Sequence, residues 1–218
     1  MSMTEEEARY EQWMDDLYAE HSKRAVEEFT GDRLRSYYQA NPRVAKPVVD
    51  LLQEARSLLH QHPTPALVFA AIAIEAGLKQ VLLRPIVSGL VNSESAASLI
   101  TDLALERTCM RKFRDLLFQV LSEHAGVHVS SFVRPGSSRR LWDEIIEVQN
   151  RRNAVMHRAE QASFEEAAQS VEVAAAIVEN LFPAIATYLG FHLHDRFRLC
   201  SSPLCGFNVE QPPVGADS

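Results

Sequence analysis

The chain has 218 residues, 46% hydrophobic and 23% charged, with a formal charge of −7. That balance fits one domain with appendages and a core that needs no disulfides, and it excludes bulk disorder. Three cysteines are too few for a disulfide scaffold, and the acidic, charge-broken start has no apolar stretch of signal-peptide type, so a cytoplasmic protein with reduced thiols is expected.

Charge is unevenly spread. Residues 1–32 hold ten acids against three bases, which leaves 19 of each over the remaining 186 residues. The acidic segment "TEEEARYEQWMDDLYAEHSKRAVEEF" opens with a capping-box pattern, Thr4 to Glu7, and reads as a helix with Trp13, Leu17, Ala25 and Phe29 as an apolar edge. It is expected to pack on the rest of the chain, to bind a partner, or to cover a basic patch as an internal RNA mimic.

"VAKPVVDLLQEARSLLHQH" carries Val48, Leu51, Leu52, Ala55, Leu58 and Leu59 at three-to-four spacing, the pattern of an amphipathic helix. "TPALVFAAIAIEAGLKQVLL" places Thr64 as N-cap and Pro65 at the first helical position, then runs apolar almost all round. Its longest apolar run, residues 66–78, contains Glu75 and is too short to span a bilayer, so it is read as the central buried helix and no membrane association is expected. Residues 94–122 give one or two further amphipathic helices through Leu99, Leu103, Phe113, Leu117 and Val120, with Cys109 as a core residue.

"HAGVHVSSFVRPGSSRR", residues 124–140, reads as a solvated loop. Helices follow at about 138–160 and 164–190, divided by a second capping box at Ser163 and Glu166, with a bend expected near Pro183. The segment from 191 onward loses helical periodicity. The whole reads as an all-α up-and-down helical bundle over 44–190, with an extra acidic N-terminal helical extension (1–43) and an irregular C-terminal tail (191–218).

The penultimate helix does not divide cleanly. On a wheel of about 100° per residue, Leu141, Ile145, Val148, Val155, Met156 and Ala159 form a core stripe, and Asp143, Glu144, Glu147, Arg151 and Arg158 form the far, solvated face. Arg152 falls inside the apolar stripe, where a guanidinium needs a partner or an open cleft. Gln149, Asn153 and His157 make an uncharged polar band beside it.

A histidine exchanges protons near neutrality, and an arginine presents a permanently charged fork suited to phosphate. That set suits metal-independent cleavage of an RNA phosphodiester, with the imidazole moving the 2′-hydroxyl or leaving-group proton and the guanidinium holding charge on phosphorus. The bland alternative is a buried structural arginine and a histidine that caps the last helical turn.

The run Arg152-Asn153-Ala154-Val155-Met156-His157 resembles the Arg-polar-x-x-x-His signature of HEPN domains (higher eukaryote and prokaryote nucleotide-binding). "AIAIEAGLKQVLL" is similar to the Ala-rich helix with an acidic residue and a Leu-Lys pair found early in many such bundles. The resemblance covers roughly residues 44–190. It implies a homodimer whose two motif copies share one composite cleft, with Arg152 and His157 catalytic and Asn153 supporting. Glu75 is implied as a second supporting residue through a pair with Arg152; an intrahelical pair with Lys79 is the alternative.

The resemblance also implies an endoribonuclease of prokaryotic defence or a toxin–antitoxin system, with a possible antitoxin or regulatory partner. The alternative is a non-catalytic module that binds nucleotide or RNA, or that dimerises as a scaffold. Some HEPN toxins carry a modifiable tyrosine two residues after the histidine; that position is Ala159 here. The nearby Arg134, Arg139 and Arg140 are expected to contact RNA, and His124 and His128 lie on the same loop.

No cofactor is expected. "HLHDRFRLCSSPLC" offers His192, His194, Cys200 and Cys205 as zinc ligands, but four residues separate the cysteines and no second pair follows. An ordinary tail with two free thiols is the favoured reading, with no metal. Nucleophile-elbow, P-loop and dinucleotide fingerprints are all missing from the sequence.

Overall fold

The structure is a computed structural model, and it describes residues 5–91, 95–96, 114–194, 197–202 and 205. The expected capping box at Thr4, Cys109, and Leu99, Leu103 and Phe113 lie outside the described residues. So do the side chains of Leu117, Val120 and His124 and the chain beyond Cys205.

Helix α1 (Glu5–Ala40) docks through its last turns. Leu34 and Tyr38 are buried in the main core, whereas Trp13 and Phe29, expected on an apolar edge, are 56% and 54% exposed. Arg33 donates to the carbonyls of Ser88 and Val91, and Arg35 donates to that of Leu189, so polar groups lock the docked end at both sides.

Helix α2 (Lys46–Leu58) packs its Val48, Val49, Leu52 and Ala55 face on α3 (Pro63–Ala76). The latter begins before Thr64, so this residue is not the N-cap. Its hydroxyl instead donates to Gln161 Oε1 at 3.1 Å and accepts from the Ala162 amide at 2.9 Å.

Chain α3 continues through a π-helical segment, Gly77–Leu83, into α4 (Arg84–Leu90). Proline has no amide hydrogen, and in an α-helix its ring collides with the carbonyl four residues back. Here Pro85 follows the wider π turn, in which the Arg84 amide reaches back to the Lys79 carbonyl. The Val81 carbonyl, which the amide of residue 85 would serve in α register, takes the buried Tyr38 hydroxyl at 2.8 Å. Burial pushes the Tyr38 hydroxyl well above its usual pKa, which keeps it a neutral donor.

The arrangement recurs later in the chain. Helix α5 (Arg114–Ala125) leads to a loop, then come α6 (Leu141–Arg158) and α7 (Phe164–Ala175), which opens with the expected Ser163–Glu166 capping box. A second π segment, Ala176–Leu181, precedes α8 (Phe182–Tyr188) with Pro183 in its first turn, and the Phe182 amide reaches back to the Ile177 carbonyl. The irregularity expected at Pro183 therefore takes this form. The two π segments touch at Gly77, where an added Cβ would lie 3.0 Å from Ile177 Cγ2 and would press on that side chain.

The α3–α4 and α7–α8 stretches include helices long and apolar enough to cross a membrane, yet most of that surface is buried against the other helices, as in the core of a soluble protein. One core runs from Leu34 to Leu199 and so includes residues of both the N-terminal extension and the C-terminal tail. The loop before α6 is also better packed than a solvated loop: Val127 and Val129 are buried, and Val133 bridges to Arg140. Two short strands, β1 (His192–His194) and β2 (Arg198–Cys200), form an antiparallel hairpin in the tail, where the sequence suggested irregular chain.

Candidate functional site

Helix α6 holds the Arg152–His157 motif, and its two halves face different surroundings. Leu141, Ile145 and Val148 are buried as the wheel predicts. Farther along, the buried side turns: Ala154 is buried, Val155 packs beside Ala66, Leu67 and Ala167, and Met156 is 55% exposed. Arg152 thus sits where the expected stripe has already left the bundle. It is half-buried, and the problem of a guanidinium in a dry core does not arise.

The Arg152 Nη1 donates to Asn153 Oδ1 at 3.2 Å, which pre-orients the neighbouring amide. Asn153 and His157 are both exposed, one turn apart on the same side of α6. Helix α6 ends at Ala159, whose φ of 53° is left-handed, and the following chain is pinned by the Thr64 hydroxyl. The motif therefore occupies the last two turns of a helix whose exit is fixed from α3.

Glu75 does not reach Arg152 among the described contacts. It accepts from Lys79 Nζ at 2.6 Å, which is the intrahelical alternative. The implied pairing of Glu75 with Arg152 is corrected on that geometry.

The wheel's solvated face also needs correction. Glu144 is 2% exposed and holds Arg134 Nε at 3.0 and 3.2 Å, and it also accepts from the Ser137 hydroxyl at 3.1 Å. Arg134, expected to contact RNA, instead fastens the preceding loop to the start of α6. Its guanidinium is mostly buried, and removing it would leave a carboxylate in the interior.

Arg151 pairs with Glu166 and so ties α6 to α7. Arg139 pairs with Glu147 at 2.6 Å at the surface, and that hydrogen bond holds the guanidinium above its usual pKa. Arg140 is exposed at the N-cap position and makes no ion pair among the described residues. On the loop, His128 Nδ1 lies 2.9 Å from the Ser122 hydroxyl.

A second group of reactive side chains meets at the hairpin. One ligand atom from each of His192, His194, Cys200 and Cys205 lies within 4.8 Å of all the others, although the sequence spacing looked irregular. The missed signal is the alternation in His-Leu-His and Arg-Leu-Cys, which a strand pair turns into one apolar and one polar face.

The chain matches no protein-family model, no curated protein and no solved structure. Its function must be argued from these side chains.

Proposed function

We propose that the protein is a metal-independent endoribonuclease built on a HEPN-like up-and-down bundle, acting as a cytoplasmic homodimer. The observation that carries the reading is the exposed end of α6. Asn153 and His157 are exposed and Arg152 is half-buried beside an exposed Met156, in the run that resembles the HEPN signature. By the resemblance, a second copy covers this face and brings two motifs into one cleft.

In such a cleft one His157 accepts the proton of a ribose 2′-hydroxyl. The O2′–P bond forms as the P–O5′ bond breaks, and the second His157 returns a proton to the departing 5′-oxygen. Arg152 holds the additional negative charge on the phosphorane oxygens, with Asn153 orienting its guanidinium. The products are 2′,3′-cyclic phosphate and 5′-hydroxyl ends, and DNA, lacking the attacking hydroxyl, is not cut. Arg140 and Arg139 lie near the start of the same helix as candidate phosphate contacts; Arg139 would first have to exchange its pairing with Glu147. By the resemblance, the setting is prokaryotic defence or a toxin–antitoxin system with an antitoxin or other regulatory partner.

The test is cleavage of structured and single-stranded RNA by wild type, Arg152→Ala and His157→Ala, with chelator added at the start of the reaction. Cleavage by wild type alone supports the enzyme. No cleavage by a folded, dimeric wild type points to the binding or scaffold module instead.

A further inference from the structure

The hairpin cluster reaches further than the tail reading suggested. In β1 and β2, His192 pairs with Cys200, Leu193 with Leu199, and His194 with Arg198. Alternation sends Leu193 and Leu199 to the bundle side, where Leu199 is buried and its amide donates to the Pro42 carbonyl at 2.9 Å. His192, His194 and Cys200 are left together on the opposite face. The chain then turns back, with the Cys205 amide on the Ser202 carbonyl, and sets Cys205 Sγ 3.2 Å from His194 Nε2.

We propose that His192, His194, Cys200 and Cys205 bind one zinc ion in a closed tetrahedral site. Two imidazoles and two thiolates are the borderline-soft donor set that zinc favours. Bond lengths of about 2.0–2.3 Å place tetrahedral ligand atoms about 3.3–3.8 Å apart, so a cluster already within 4.8 Å needs only small side-chain shifts. An independent sign is His192 Nε2, which is buried and has no hydrogen-bond partner among the described residues. A buried ring nitrogen without a partner is costly, and coordination would satisfy it.

Four protein ligands leave no position for water or substrate, so the ion is structural. It clamps the hairpin and the returning chain at Cys205 onto the end of the bundle, where Phe191 and Leu199 enter the core. The proposal is independent of cleavage at α6: zinc content and RNA cleavage are separate measurements, and either can fail alone.

The reduced full-length chain, purified without chelator, is expected to carry one zinc per chain by elemental mass spectrometry. Cobalt added to the stripped protein should develop the visible absorption of a tetrahedral site together with a thiolate-to-cobalt charge-transfer band. Cys200→Ser, Cys205→Ser and His192→Ala should each weaken zinc binding by at least the roughly tenfold that loss of even an outer-shell partner costs, whereas Cys109→Ser should leave it unchanged.

If a variant does not fold, the native chain answers through its thiols. A mercurial that caps them should release the zinc stoichiometrically to a chromogenic chelator. Three results would overturn the site: a folded, reduced chain that takes up neither zinc nor cobalt; undiminished metal in the Cys200→Ser/Cys205→Ser double variant; or a Cys200–Cys205 disulfide recovered from protein kept under reductant.

Discussion

Leu141, Ile145 and Val148 in the first half of α6 are buried, whereas Met156 and Ala159, which continue the same stripe, face solvent with Arg152 between them only half-buried. The polar side follows the same gradient: Glu144 near the start is buried against Arg134, while Arg158 near the end pairs at the surface with Glu160. A helical wheel assumes one environment along the whole axis. Helix α6 has two, because its first turns are wedged between the preceding loop and the bundle, while its last turns meet neighbours only on the Ala154–Val155 side.

That contrast can be attacked by substitution. Ile145→Ala is expected to cost about 3–5 kcal/mol in urea unfolding, as for a fully buried aliphatic side chain, whereas Met156→Ala in dilute, monomeric protein should cost less than about 0.5 kcal/mol. Equal losses would mean that the end of the stripe is buried after all. A loss for Met156→Ala that grows with protein concentration would locate that burial between two copies.

Glu144→Ala should cost about 3 kcal/mol, the low end for a broken buried pair, because Arg134 can swing outward once released. Glu147→Ala, three residues on at the surface, should leave the unfolding midpoint unchanged. If Glu144→Ala is equally silent, the two halves of α6 do not differ as described. The smallest effect is expected at the exit. Ala159→Gly should raise stability by about 1 kcal/mol, since glycine adopts the left-handed conformation without a Cβ penalty.

Features written in local chemistry were legible in the sequence. The Ser163–Glu166 box, the amphipathic face of α2 and the apolar run of α3 depend on residues within a turn or two of one another. The Glu144–Arg134 pair was not legible, because it depends on how the loop of residues 126–140 folds back onto the helix that follows it. Likewise Glu75 had two plausible partners at the sequence level, and its distance to Lys79 decides between them. The hairpin was hidden for another reason: three-residue strands are too short for period-two alternation to stand out, and the meeting of His192 with Cys200 follows from register and a turn.

The paired π segments bear on which changes in chain length the protein can absorb. A π segment acts as one residue inserted into an α-helix and absorbed in a wider turn, so removing one residue between Gly77 and Leu83 would restore α register and set the Pro85 ring against the carbonyl four residues back. Helix α4 would then kink at Pro85, which strains the hold of Arg33 on the Ser88 and Val91 carbonyls. The same deletion between Ala176 and Leu181 would set Pro183 against the carbonyl four residues back, beside the buried Phe182 and Ile185. Single-residue deletions should therefore be tolerated far less in these two segments than in the exposed stretch of α1 around Trp13.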